Sequence, residues 1–349
     1  MPSRRNTVDP NSNDDTRLLR NRPKSSKFRQ QKLPAWQPIL TAQTAIPTIF
    51  ATGMIFIPLG VFLLLAADSV KEWSIEYGTI CRNKLCSIDV QIDEQFSGNV
   101  YFYYGLDNYF QNHRRYVKSR SDSQLLGYLT NVGDCSPLDY VNTTFGRLPI
   151  APCGSIANSM FNDTFQLLDP NGQPVPLTKE GVIWEIDRDV RFKNPPIQPG
   201  QDLCEAFRGT IRPPNWQKDA CQLDPLHPDN NGFLNVDFIV WMRTAALPSF
   251  RKLYRILDRN SPNFAYQHGL PAGRYRLSIE NNYPVDAFNG KKSFIISTTT
   301  WSGGHNNFLG IAYIVIGSIC ILLGFIFTVI HIKFGHSFAE MAEISINTR

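Results

Sequence analysis

The stretch from Thr44 to Ala67 reads TAIPTIFATGMIFIPLGVFLLLAA, 24 residues without one Asp, Glu, Lys or Arg. A second stretch, Phe308 to Ile332, reads FLGIAYIVIGSICILLGFIFTVIHI, 25 residues free of the same four types. At 1.5 Å of rise per residue each would form a helix roughly 36 Å long. That is enough to cross a hydrocarbon core of about 30 Å with some tilt. A soluble helix rarely avoids every charge for seven turns, so both stretches are predicted to span a membrane. Pro47 and Pro58 do not oppose this, because neighbouring helices can satisfy the carbonyls that a proline frees. The first stretch is not expected to be a cleavable leader: it starts more than 40 residues in, and its apolar run is too long.

The two spans divide the 349 residues into a tail 1–43, a span 44–67, a middle region 68–307, a span 308–332 and a tail 333–349. Whole-chain averages conceal that division. With 19 % charged and 42 % hydrophobic residues and a net charge of +5, the chain resembles a basic soluble protein, and wholesale disorder is excluded. A mean hydropathy of −0.23 and a pI near 8.8 give the same impression. By segment, the first tail holds nine Lys/Arg against three Asp/Glu, a net of +6. The middle region holds 24 against 25, and the last tail two of each. All the positive excess thus precedes the first span, which places both termini in the cytosol and the middle region outside or in the lumen.

Cysteine usage agrees with that side. Six of the seven cysteines, Cys81, Cys86, Cys135, Cys153, Cys204 and Cys221, lie in the middle region, where oxidising conditions favour disulfides. Six cysteines allow 15 pairings; bonding between sequence neighbours is the simplest. Cys320 lies in the second span and is expected to stay a thiol. N-glycosylation sequons occur at Asn142-Thr143-Thr144 and Asn162-Asp163-Thr164, both between the spans.

In that ectodomain, Ser87–Ile92, Asn99–Tyr104, Val182–Asp187, Arg274–Glu280 and Ser293–Thr300 alternate like half-buried strands. Tyr109, Phe110, His113, Tyr116 and Val117 fall at helical spacing, as do Leu247, Phe250, Leu253, Tyr254 and Leu257. Seven prolines between Pro195 and Pro228 predict a long irregular loop. Strands without regularly interleaved helices predict an antiparallel β-sandwich with helical and loop insertions. The fold class is therefore two transmembrane α-helices flanking a large β-rich ectodomain. The last strand runs nearly straight into the second span, so the domain should sit close to the membrane.

Catalytic signatures are missing from the sequence. No phosphate loop, nucleophile elbow, H-E-x-x-H or paired C-x-x-C pattern occurs, and no cofactor or metal is expected. Asp229-Asn230-Asn231-Gly232 has the look of a calcium loop. With Gly232 at the sixth position, however, His227 and Phe238 would take the first and twelfth, so it is read as a turn. The basic run Gln111 to Lys118 faces an ectodomain of net charge −1 and is read as a solvated face or protein contact. Nucleic acid is not an expected partner.

Longer strings are specific. Arg22-Pro23 and then Phe28 to Leu40 (FRQQKLPAWQPIL), before the first span, closely resemble the cell cycle control protein 50 family, also called transmembrane protein 30. The likeness continues through Tyr103-Tyr104-Gly105-Leu106, Gln111 to Arg120, Ile150-Ala151-Pro152-Cys153-Gly154 and Ile156 to Thr164. It includes Arg191-Phe192-Lys193-Asn194-Pro195-Pro196, Pro228 to Arg255 and Leu270 to Trp301. It covers roughly residues 22 to 332, the animal branch being nearest. The resemblance implies a non-catalytic β-subunit of a type IV P-type ATPase, a phospholipid flippase. It implies a heterodimer with the ATPase α-subunit, which moves the lipid, and a role in export of that subunit from the endoplasmic reticulum, its localisation and its activity in aminophospholipid translocation. Plasma membrane, Golgi or endosomes and endoplasmic reticulum are the implied locations. The Cys135–Cys153 bond carries over from the family. Cys204 and Cys221 have no counterpart in its typical animal member, so their pairing rests on adjacency alone. A two-span channel or receptor subunit is the alternative, although the second span offers a pore only Tyr313, Ser318, Cys320 and Thr328.

Two further features bear on the membrane. Gly53, Gly60 and Ala67, and likewise Gly310, Gly317 and Gly324, repeat every seven residues along one helix face. Small residues let helices approach closely in lipid, so these six are candidates for packing of the two spans on each other, or of one on the α-subunit. Arg17, Arg20, Arg22, Lys24, Lys27, Arg29 and Lys32 set orientation and are candidates for contact with anionic inner-leaflet lipids, about 1 kcal/mol per basic residue, or with the α-subunit. Asp14 to Leu19 fits an acidic dileucine sorting pattern.

Overall fold

The structure, a computed structural model, describes residues 26–29, 31–33, 41–144 and 146–335. The dileucine pattern, most of the basic tail and residues 336–349 lie outside the described residues. In chain order the first elements are α1 (Ala42–Asp68), β1 (Glu72–Glu76), β2 (Leu85–Ile92), β3 (Phe96–Ser97), β4 (Val100–Asp107), α2 (Arg114–Lys118) and α3 (Asp122–Leu125). Then come β5 (Tyr140–Thr143), β6 (Gly146–Pro149), α4 (Ser155–Asn158), β7 (Thr164–Leu168), β8 (Leu177–Thr178) and α5 (Leu203–Ala206). The last are α6 (Val236–Met242), β9 (Phe250–Leu257), β10 (Gly269–Leu270), β11 (Gly273–Glu280), β12 (Lys291–Thr298) and α7 (Phe308–Phe334).

Helices α1 and α7 are long and apolar enough to cross a membrane, and only 17 % and 11 % of their most apolar windows is buried. The core helix of a soluble protein would bury most of such a window. Here Met54, Phe62, Leu65, Leu322 and Val329 project outward. The described residues form two compact units, one of those up to Phe56 with those from Ile316 on, the other Ile57–Val315.

The second unit contains the β-rich domain. Strands order as β1-β12-β4-β9-β8 in one sheet and β2-β11-β7 in another, all pairs antiparallel. On β4 the period of two buries Val100, Phe102, Tyr104 and Leu106. On β12 it buries Lys292, Phe294, Ile296 and Thr298 opposite them, with Phe294 beside Tyr104 and Ile296 beside Phe102. The smaller sheet turns Ile88, Val90, Ile92, Phe165, Leu167, Tyr275, Leu277 and Ile279 into the same core. The Phe165 ring lies 4.8 Å from Phe294 and 5.5 Å from Tyr77. This is the sandwich principle of alternate residues filling one apolar layer.

The edge pair β1 and β12 positions the membrane helices. Thr298 donates its amide to Lys71 O (2.9 Å) and accepts from the Lys71 amide on its hydroxyl (2.9 Å). Lys71 stands three residues past α1, and Thr298 ten before α7. Antiparallel pairing at one sheet edge therefore brings the end of α1 and the approach to α7 together.

Four of the five expected strands are present: β2, β4, β11 and β12 contain or overlap them. The fifth, Val182–Asp187, is corrected: it is a bend followed by helical turns ending in a π-turn, Asp187–Arg191. Gly181, at φ +74°, breaks any extension from β8. The segment is held by the buried Asp187 carboxylate, paired with Arg191 (3.4 Å) and Arg243. The Arg243 guanidinium in turn covers Trp184.

The helix expected over Leu247–Leu257 is also corrected, since it is β9. That strand is covered on both faces. Leu253 and Ile256 pack with Val182, Val236 and Val240, while Phe250, Tyr254 and Leu257 pack on the main core. Apolar residues at both parities mimicked a helical spacing. Of Tyr109–Val117 only the end is helical: α2 starts at Arg114 with His113 as its N-cap, and Tyr109 joins an aromatic cluster with Tyr116, Trp241 and Phe288. Arg114, Arg115 and Lys118 are exposed. Asp229 to Gly232 forms tight 3-10 turns in which Asn230 and Asn231 hold nearby backbone.

Candidate functional site

The seam of the long helices is the first candidate. In α1 the buried positions are Gly53, Gly60 and Ala67; in α7 they are Gly310, Gly317 and Gly324. In the first unit, a Cβ placed on Gly53 would stand 2.7 Å from the Ile321 side chain and 2.9 Å from Gly317 O. One on Gly324 would meet the Phe50 ring at 2.9 Å, and Phe50 packs edge-on against Phe325. In the second unit, a Cβ on Gly60 would stand 2.7 Å from Ile314 and 2.8 Å from Gly310 O. Gly310 is closed off by Leu64 at 2.7 Å. The glycines of one helix thus face those of the other, and the backbones approach until no side chain fits between them. The hydroxyls of Thr48, Thr52 and Thr328 donate to carbonyls one turn back in their own helices (2.7, 2.9 and 2.7 Å).

The second candidate is the segment Ile156 to Thr164. At least five of its nine residues hold other segments of the fold. Ile156 O accepts from the Trp241 indole (2.8 Å) and Ala157 O from the Trp216 indole (2.7 Å). Asn158 Oδ1 accepts from the Asn215 amide (2.9 Å). Phe161 stacks on Tyr104 with centroids 4.1 Å apart. Asp163 is fully buried and receives Lys292 Nζ (2.7 Å), the Tyr77 hydroxyl (2.7 Å) and the amides of Asn282 (2.5 Å) and Tyr283 (2.6 Å). Lys292 also donates to Asn281 Oδ1 and to Tyr283 O. Burial, with the Asp163 charge next, holds the Tyr77 hydroxyl well above its ordinary pKa, so it stays a donor.

The sequon asparagines stand at the surface. Asn142 is exposed on β5 of the β5–β6 hairpin, and Asn162 is exposed beside the buried Asp163. The structure joins Cys81 to Cys86, Cys135 to Cys153 and Cys204 to Cys221, while Cys320 has a free thiol. The last disulfide closes the proline-rich loop from which Trp216 reaches back to Ala157. Gln124 ties the Cys153 region down, accepting from its amide (2.7 Å) and donating to Ile150 O (2.6 Å).

A cavity of about 370 Å³ opens between Asn162, the loop carrying Trp216, and Arg255. Arg255 and Asp237 form a bidentate pair at 2.6 and 3.0 Å on its wall. Burial opposes the Arg255 charge, but Asp237 outweighs it and raises the guanidinium pKa.

Sequence reasoning missed the two buried lysines. Both lie at inward positions of strands; for Lys292 the parity with Phe294, two residues on, was the available signal, whereas in β9 apolar residues at both parities left none for Lys252. Lys252 Nζ donates to the carbonyls of Val240 (2.9 Å), Trp241 (2.9 Å) and Arg243 (2.5 Å) at the end of α6. It thereby serves carbonyls that a helix end leaves without partners. Burial, with the Arg243 charge beside it, pushes this lysine down to about 7. An unfolded lysine titrates near about 10.4. Between those values the unfolded chain binds a proton that the folded chain has released, so stability rises with pH across that window. The thermal midpoint of wild type minus that of Lys252→Met is expected to grow from about pH 7 to about pH 10. A difference flat across that range would refute the assignment.

Residues 52–337 match the family described as LEM3 (ligand-effect modulator 3) family / CDC50 family. Cell cycle control protein 50A of Mus musculus is 48 % identical over 348 residues, 93 % of each chain. Cell cycle control protein 50B of Homo sapiens is 45 % identical over 339 residues, 89 % of this chain and 94 % of that one. ALA-interacting subunit 3 of Arabidopsis thaliana is 39 % identical over 348 residues, 93 % of this chain and 91 % of its own.

Proposed function

This chain belongs to the LEM3/CDC50 family, and from that premise we propose that it is the non-catalytic accessory subunit of a phospholipid flippase. It pairs with a type IV P-type ATPase α-subunit and supports that subunit's folding, exit from the endoplasmic reticulum, localisation and activity in aminophospholipid translocation. The observation that carries the reading is the near-complete coverage, 93 % of both chains, in the match to an animal cell cycle control protein 50A. The name of the Arabidopsis relative, an interacting subunit, supports the same reading.

The architecture fits a partner role. Two apolar helices supply a membrane anchor with a glycine seam. The buried titratable groups of the ectodomain, Lys292 with Asp163 and Lys252 with three carbonyls, are committed to its own folding. Orientation follows from the basic tail, with both termini cytosolic and the ectodomain on the exoplasmic side, glycosylated at Asn142 and Asn162. The threonine hydroxyls of both helices are turned onto their own backbone, which disfavours a pore.

Co-expression with a type IV P-type ATPase in cells lacking other members of the family tests the reading. The ATPase should leave the endoplasmic reticulum and co-purify with this chain. An ATPase that leaves equally well without it would defeat the proposal.

A further inference from the structure

The cavity beside the second sequon is lined by the sequon asparagine itself. Asn162 lines it, and Asn162 is exposed while its neighbour Asp163 is fixed by four donors. The asparagine backbone is therefore held in one place relative to the cavity. Trp216 lines it too, half-buried, with its indole N–H already given to Ala157 O. The polar edge of that ring is occupied, and what it offers the cavity is an apolar surface. The rest of the lining includes the Asp237–Arg255 pair, Glu280, Asn215 and Asn282, groups able to accept from and donate to hydroxyls. An apolar plate in a largely polar lining suits a sugar, whose ring has apolar C–H faces and a hydroxyl rim. About 370 Å³ falls within the usual 300–1,000 Å³ of small-ligand sites, at the lower end.

We propose that this cavity is the seat of the glycan carried by Asn162, its proximal N-acetylglucosamine unit lying against Trp216. The proposal rests on the reading that Asn162 is glycosylated. A sugar tethered at the wall needs little intrinsic affinity, because the linkage gives it an effective concentration in the millimolar range. Seated there, it clamps together segments distant in sequence: the sequon, the disulfide-closed loop with Trp216, and the Asp237–Arg255 pair. The glycan at Asn142, on an exposed hairpin, has no such role.

The test uses the full-length glycoprotein purified in detergent. Digestion with peptide-N-glycosidase after denaturation reads occupancy at each site by mass. Digestion of the folded protein then reads access. The Asn162 glycan is expected to come off about tenfold more slowly than the Asn142 glycan, as a tethered, seated ligand would, and Trp216→Ala should abolish the difference. Hydrogen exchange gives a readout that needs no variant: enzymatic removal of the glycan from folded wild type should raise exchange in the peptide containing Asn215 and Trp216. Equal release at both sites, with unchanged exchange at Trp216, would overturn the seat while leaving glycosylation intact. An Asn162 found unoccupied after denaturation would overturn the glycosylation reading and the seat together.

Discussion

Replacing Lys292 by Met is expected to cost the ectodomain about 3–5 kcal/mol, the range for removing one partner of a buried ion pair. The side chains of Lys292 and Asp163 are 2 % and 0 % exposed. Without the ammonium, the Asp163 carboxylate would keep the Tyr77 hydroxyl and two amides, but its charge would be uncompensated in the core. Asn281 Oδ1 and Tyr283 O would each lose a donor as well. Since whole domains are stable by only about 5–15 kcal/mol, this single change should remove a large share of the domain's stability. Urea unfolding of the purified protein measures the loss directly, and retention in the endoplasmic reticulum is the expected cellular result. Adding Asp163→Asn, which keeps the sequon and removes the stranded charge, should recover part of the stability. A Lys292→Met protein within about 1 kcal/mol of wild type, an ordinary surface-scale effect, would show that the pair does not hold this end of the sandwich.

What could be read beforehand, and what could not, divides along physical lines. A run of 24 residues without charge has few interpretations, so α1 and α7 were legible. Strands with one buried face were legible too, because β2 and β11 alternate cleanly. Strand β9 was not: packed on the main core by Tyr254 and on the Val182 cluster by Leu253, it shows apolar residues at both parities, and a period of two disappears. Val182–Asp187 failed for the opposite reason. Trp184 and Ile186 alternate but face solvent, so the pattern reports no buried face. The cavity at Asn162 could not have been found at all, since Asn162, Trp216 and Arg255 meet only through three-dimensional packing. The sequon could be seen, but not that its middle residue is a core anchor.

Gly60→Leu is expected to break the helix pair. The seven-residue spacing said that each helix has a face of small residues; it did not say whether those faces meet each other or a partner. In the structure they meet each other. A Cβ at Gly60 would lie 2.7 Å from an Ile314 carbon and 2.8 Å from the Gly310 carbonyl oxygen, whereas non-bonded carbons settle at about 3.5–4.0 Å. Ile314 could rotate aside, but the carbonyl belongs to the α7 backbone and cannot. The helices must therefore separate, and in lipid such close packing is itself a main source of association. Overpacking commonly costs about 1–3 kcal/mol, and about 1.4 kcal/mol is already tenfold in an equilibrium. The chain alone in detergent should melt earlier, and recovery of the ATPase complex should fall about fivefold to a hundredfold if pairing of the helices precedes binding. Met54→Leu, on the outward face, should change neither. Gly310→Leu should reproduce the defect, because its Cβ would meet Leu64 at 2.7 Å from the other side. If Gly60→Leu left the melting of the isolated chain untouched and lowered only co-purification, the stripe on α1 would have to belong to the partner, and the seam between α1 and α7 would not be what holds this chain's two spans together.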